Sequence, residues 1–335
     1  MTTSPVRIGI LGAARIAPFA LISPARKLPQ VRVVAVAARD GQRASAFAKK
    51  HGIEKAYAGY EALLADPEID AVYNPLPNSL HARYTIAALQ AGKHVLCEKP
   101  LTANADEAVE VAAVAERCGR VLMEAFHWRY HPMAQRMIEI VRSRKLGPLR
   151  RIETFMCIPL PMPNDIRYQL PLAGGAGMDV GSYTVSMLRH LSGEEPEVTQ
   201  AQAWLKSPGV DRRIEAEVRL PSGATGHMTA SLWSRTLLRI EARITCERGT
   251  LIARNPVAPQ LWHRLLIYVD GLITRETFPK TATYLHQLQA FAAAIQEGRP
   301  ILTGPQDSVA NMRVIDAMYR KAGLQPRGYP QTATA

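Results

Sequence analysis

Between Val6 and Met123, short β-branched runs take turns with longer alanine-rich stretches, and this alternation constrains the fold more than any other feature. The apolar runs are Val6–Leu11, Val31–Ala37, Ile69–Tyr73, His94–Cys97 and Val121–Met123. Between them, Arg43–Lys50, His81–Ala91 and Ala105–Cys118 carry apolar residues at helical spacing. Parallel strands need a crossover, so strand–helix alternation implies a parallel sheet with helices on both faces. The pattern predicts an α/β chain opening with a Rossmann-type doubly wound domain over residues 1–124.

After Gly147-Pro148 the texture changes. Leu149–Cys157, Val198–Leu205, Ile214–Leu220, Gly226–Leu232, Leu238–Cys246 and Leu261–Val269 read as successive strands. Helical patterns cover Met178–Leu191, Tyr284–Glu297 and Asp307–Ala322, and the tail after Pro326 is expected to fray. Residues 125–335 are therefore read as an α+β domain with a large open, mostly antiparallel sheet. A bare sheet face needs a cover, which points to a homodimer or homotetramer through it.

Composition narrows the class. Of 335 residues 47% are hydrophobic and 21% charged, which excludes a disordered chain. No apolar run reaches the roughly 18 residues of a membrane span, and Met1–Arg7 has no signal-peptide character. Cys97, Cys118, Cys157 and Cys246 form no CxxC pair and read as reduced thiols of a cytoplasmic protein. The formal charge is +12, but the basic residues are scattered without interleaved aromatics. That pattern reads as a solvated surface with anion sites, not a nucleic-acid binder.

The first strand runs into Gly9-Ile-Leu-Gly12-Ala13-Ala14-Arg15-Ile16-Ala17. A dinucleotide turn needs small residues for the tight turn, the phosphate approach and helix packing; Gly12, Ala14 and Ala17 fill those places. The alanine at the middle place departs from GxGxxG. At the end of the second strand Ala38 stands where an acid for a ribose 2′-hydroxyl is expected, while Arg39 and Arg43 suit a 2′-phosphate. Asp40 is either a helix cap or that acid displaced by two positions. NADP is preferred, with NAD possible.

The strand His94–Cys97 ends in Glu98-Lys99-Pro100, at the sheet edge where open α/β folds bind ligands. An ammonium there can polarise a carbonyl or steady an alkoxide during hydride transfer. With Pro77-Asn78-Ser-Leu-His81 upstream, and Glu124–Pro132 and Gly174–Tyr183 downstream, the chain resembles the Gfo/Idh/MocA oxidoreductases. The resemblance implies an enzyme that moves hydride between a nicotinamide cofactor and a hydroxyl or carbonyl of a sugar, polyol or cyclic trans-diol. It makes Lys99 essential, brings Glu98 to the nicotinamide ribose, and assigns catalytic roles to Asp179 and Tyr183. Asp179 would orient the substrate, and either Tyr183 or Lys99 would move the proton. The same resemblance carries cofactor contacts to Leu76, Pro77, Asn78, His81, Arg167 and Tyr284.

The family implies no metal. His127 and His131 have zinc-ligand spacing, yet Pro132 argues against a continuous helix through them. The rival readings are a non-catalytic dinucleotide sensor and an enzyme that recycles a tightly held cofactor.

Overall fold

The computed structural model describes residues 4–329. The chain forms two compact units. The first comprises the residues up to Thr102, Asp106–Tyr130 and Ala282–Val309; the second comprises Ala103–Ala105, His131–Thr281 and the residues from Ala310 on.

The first unit holds six parallel strands: β1 (Val6–Leu11), β2 (Val31–Ala38), β3 (Lys55–Ala58), β4 (Ala71–Asn74), β5 (His94–Cys97) and β6 (Leu122–Glu124). Their order is β3-β2-β1-β4-β5-β6, so the direction of winding reverses between β1 and β4. Side chains alternate across the sheet with period two. Ile8, Ile10, Val36, Tyr73 and Leu96 enter one apolar layer, and Ala35, Ala37, Val72, Val95 and Cys97 enter the other. Helix Thr283–Glu297 completes the first layer with Leu288, Phe291 and Ala292. The first unit thus takes a helix from late in the chain.

The second unit holds eight strands: β7 (Leu149–Cys157), β8 (Glu197–Ser207), β9 (Val210–Arg219), β10 (Thr225–Ser231), β11 (Arg239–Cys246), β12 (Gly249–Arg254), β13 (Arg264–Val269) and β14 (Leu272–Glu276). Their order is β14-β13-β12-β11-β7-β10-β9-β8. Only the central β7–β10 pair is parallel; the other neighbours are antiparallel. Helix Ser182–Ser192 covers one face, where the Thr154 hydroxyl donates to the Thr184 carbonyl at 3.0 Å.

Three local expectations need correction. The helix read from Met178 begins with a π-helical turn, Gly177–Gly181, and becomes α-helical at Ser182. The strand read from Leu261 starts at Arg264, because Leu261 and Trp262 stand exposed in the preceding turn. The tail is not frayed at Arg327, which is 1% exposed and hydrogen-bonds through Nε, Nη1 and Nη2; residues 330–335 lie outside the described residues. Pro132 does interrupt helicity, since His127–Tyr130 is a 3-10 turn and an α-helix starts at Pro132. Among the described residues no helix is long and apolar enough to cross a membrane.

Candidate active site

β1 delivers the chain to Gly12 at the winding reversal, where open sheets receive ligands. Gly12 has φ +96°, a conformation open to glycine, and its amide donates to the Ala37 carbonyl at 2.8 Å. Ala14 bonds back to the Gly12 carbonyl, and the chain enters a helix at Ala17, which is fully buried. Ala13 and Ala14 are half-buried, and Arg15 and Ile16 are exposed. Among the described residues the amides of Ala13 and Ile16 have no backbone acceptor. A turn with available N–H donors at the start of a helix suits a diphosphate, so these residues fit a dinucleotide.

Asp40 makes the helix cap that one of its two readings expects. Its carboxylate accepts the Gln42 amide at 2.8 Å and caps helix Gly41–His51. Ala38 is buried, whereas Arg39 and Arg43 are exposed. Arg43 donates to the Ala13 carbonyl at 3.2 Å, which ties its guanidinium to the phosphate turn.

At the end of β5, Glu98 and Lys99 are half-buried and the Lys99–Pro100 bond is cis. The buried Tyr73 hydroxyl donates to Glu98 Oε1 at 2.6 Å. Burial, reinforced by the Glu98 charge, pushes both the Tyr73 and Tyr284 phenols upward. Tyr284, in the first turn of its helix, stacks on His127 with ring centroids 4.1 Å apart. His127 bonds Thr283 Oγ1 at 2.8 Å through Nδ1, and burial with the Lys99 charge lowers its pKa to about 3.

His81 sits beneath the loop. It is 1% exposed, with Nδ1 2.8 Å from the Pro100 carbonyl and Nε2 2.7 Å from the Leu76 carbonyl. Burial takes its pKa down to about 4, against the two carbonyls, which favour the charged ring. His81 therefore faces backbone, tying the segment after β4 to the one after β5. Leu76 is buried, while Pro77 and Asn78 are half-buried at the start of helix Asn78–Gln90.

The second unit contributes Gly174–Tyr183. Arg167 Nε lies 2.9 Å from Asp179 Oδ2, and its Nη1 lies 3.0 Å from Asp165 Oδ1. Its guanidinium thus pairs with two carboxylates of its own unit. Tyr183 is 6% exposed in the first α-helical turn, four residues after Asp179 in the π-helical turn.

Sequence reading missed the anchor of this turn. Asp211, wholly buried, accepts the Gly177 amide at 2.7 Å, Arg327 Nη2 at 2.6 Å and the Tyr319 hydroxyl at 3.1 Å. Arg327 Nε donates to the Gly174 carbonyl at 2.7 Å. Gly175 shows why glycine is required: φ is +131°, and a Cβ would lie 2.1 Å from Asp211 Oδ1 and 2.8 Å from Arg327 Nη2. The only signal in the sequence was the glycine cluster itself, which tells of close approach but not of what approaches.

Comparison with known proteins gives the family. Residues 6–126 match the oxidoreductase family with an NAD-binding Rossmann fold, and residues 134–252 match the Gfo/Idh/MocA C-terminal domain. D-xylose 1-dehydrogenase (NADP(+)) 2 of Haloferax volcanii is 41% identical, over 94% of this chain and 96% of that protein. Trans-1,2-dihydrobenzene-1,2-diol dehydrogenase of Xenopus laevis is 36% identical, over 76% of each. The crystal structure of a 3-ketoreductase from Actinomadura kijaniata in complex with NADP and TDP-benzene superposes with TM-score 0.88 at 28% identity, covering 97% of this chain and all of that one. The chain belongs to the Gfo/Idh/MocA family of NAD(P)-binding oxidoreductases.

Proposed function

We propose that this protein is an NADP-preferring dehydrogenase or reductase acting on a CH–OH or C=O group of a sugar, polyol or cyclic trans-diol. Family membership supplies the reaction class, and the relatives named above act on an aldose, a dihydrodiol and a keto-sugar. The observation that carries the reading is the organised end of β5. Tyr73 holds Glu98, and His81 ties the Pro100 backbone to the Leu76 backbone, so Lys99 projects from a braced loop.

The nicotinamide, when bound, supplies or accepts the hydride. Gly12–Ile16 hold the diphosphate, and Arg39 and Arg43 hold the 2′-phosphate, since Asp40 is engaged as a helix cap. Lys99 donates its N–H to the reacting oxygen and stabilises negative charge there. Tyr183 moves the proton, as base in alcohol oxidation and acid in carbonyl reduction. Asp179, fixed by Arg167, accepts a substrate hydroxyl.

We assign self-association, as a homodimer or homotetramer, to the sheet face opposite helix Ser182–Ser192. Phe155 points to that face beneath the Arg239 guanidinium, 3.4 Å from the ring centroid. Four free thiols support a reducing cytoplasm. The test is a panel of aldoses, ketoses, inositols and trans-dihydrodiols with NADP and NAD, followed at the nicotinamide absorbance. Turnover with NADP that disappears in Lys99→Ala is the expected result. Cofactor binding without turnover on any member would overturn the reading in favour of a sensor.

A further inference from the structure

We propose that the second unit carries an oxyanion-accepting subsite that recognises an acidic substituent, a carboxylate or phosphate ester, on the sugar. It deepens the functional reading above and rests on it. A cavity of about 430 Å³ opens where β7 and β10 run out, walled by Leu160, Pro161, Tyr168 and Trp233 and flanked by Lys206 and Arg212. That volume lies within the roughly 300–1,000 Å³ of small-ligand sites.

Two observations set the ligand's charge. Among the described residues neither Lys206 nor Arg212 has a carboxylate within ion-pair distance. Their neighbours differ: Arg213 is paired with Glu215, and Arg167 with Asp165 and Asp179. Arg212 donates one Nη1 hydrogen bond, at 2.6 Å, to the Trp233 carbonyl, which pins its guanidinium to the wall and leaves its remaining N–H groups for a ligand. The Lys206 ammonium stands 5.9 Å from the Tyr168 ring centroid and lines the same cavity. Two cations lining one cavity, neither with a carboxylate at ion-pair distance, favour an anion by simple electrostatics. The guanidinium adds a planar fork matched to carboxylate or phosphate oxygens.

The walls are rigid and apolar, which suits the C–H face of a sugar ring. Pro159, Pro161 and Pro163 alternate along the loop after β7. The loop is stitched down where the Leu160 amide donates to the Leu232 carbonyl at 2.8 Å. The Tyr168 hydroxyl donates to the Leu160 and Leu232 carbonyls at 3.1 and 3.3 Å. Tyr168 directly follows Arg167, whose guanidinium holds Asp179. A wall residue of the cavity is thus the chain neighbour of the residue that holds Asp179, the group proposed above to accept a substrate hydroxyl.

The experiment uses the full chain with NADP and compares matched probes: glucose, glucuronate and glucose 6-phosphate. Specificity is read as kcat/KM, and binding is read separately by calorimetry. The proposal expects one or both acidic sugars to exceed glucose at least tenfold in kcat/KM or affinity; which one wins distinguishes carboxylate from phosphate. Lys206→Glu, an exposed and fold-tolerant change, should lower the acidic-to-neutral ratio at least tenfold, and Arg212→Leu should do the same. Equal ratios in wild type and Lys206→Glu, or tighter binding of glucose than of both acidic probes, would overturn the subsite. If neither these probes nor any member of the panel above turns over, the functional reading fails, while calorimetry with the same probes still decides the subsite.

Discussion

Replacing Asp211 by alanine removes the carboxylate on which the glycine turn of the second unit hangs. Three donors lose their acceptor at once: the Gly177 amide, the Tyr319 hydroxyl and Arg327 Nη2. Asp211 is 0% and Arg327 1% exposed, so water cannot take over freely. Breaking a buried pair by deleting one partner costs about 3–5 kcal/mol, because the other charge stays buried without compensation. Packing of the guanidinium over the Tyr319 ring, 4.1 Å from its centroid, offsets a small part. For a unit of this size about 4 kcal/mol corresponds to a fall in Tm of roughly 8–16 °C. The pair's own contribution differs from the cost of breaking it. Asp211→Leu combined with Arg327→Met removes both charges, and such replacements are often neutral. The double variant should therefore lose far less than the sum of the single changes, with a coupling energy of about 2–3 kcal/mol. Calorimetric and urea unfolding of the four proteins of this cycle is the assay. A single variant costing under about 1 kcal/mol, or strict additivity, would refute the reasoning.

Further outcomes follow from the same geometry. Arg43→Ala should raise KM for NADP by about 10- to 100-fold, the worth of a hydrogen bond to a charged group, and leave KM for NAD little changed; parallel loss with both cofactors would contradict the 2′-phosphate assignment. Tyr183→Phe should cut kcat by about 10²–10⁴ with NADPH affinity, read by fluorescence titration, within a few-fold of wild type. His127 and His81 titrate near pH 3 and 4 when folded and near 6.5 when unfolded. Between those values the unfolded chain binds more protons, so the stability tied to the neutral rings is full above about pH 6.5 and is lost as pH falls toward 4 and then 3. Urea midpoints measured from pH 7 to 4 should decline, and His127→Gln should flatten the decline; an unaltered slope would remove His127 from the account.

What the sequence could and could not convey divides by range of interaction. Strands with a buried face announce themselves locally: Val6–Leu11 and His94–Cys97 appear with the bounds read from their apolar runs, and Leu149–Cys157 with the bounds read from its alternation. β3 was missed because its burial alternates only between partial and exposed over Lys55–Ala58. β14 was missed because Leu272–Arg275 are exposed along an edge, leaving no inward period to detect. Pattern reading infers a strand from its buried face, so a strand without one is silent.

The site shows the same division more sharply. Glu98-Lys99-Pro100 was legible because the strand that presents it and the chemistry it bears are adjacent in sequence. Asp40 was ambiguous for the opposite reason: the same acid suits a helix cap or a ribose, and its cap to the Gln42 amide at 2.8 Å depends on folded geometry. Arg167 was carried to the cofactor by analogy, yet the ion pairs its side chain makes run to Asp165 and Asp179 of its own unit. Asp211, Tyr319 and Arg327 lie in a strand, a late helix and the last turn of the described residues, and nothing in the residues around any of them tells of the others. Their effect on the sequence is indirect: they leave no room for a Cβ at Gly175 and Gly177. A run of glycines beside an Asp and a Tyr is thus a record of distant residues pressing on the backbone. Testing those distant residues, rather than the glycines, is what separates a turn kept open for a ligand from one kept open for its own support.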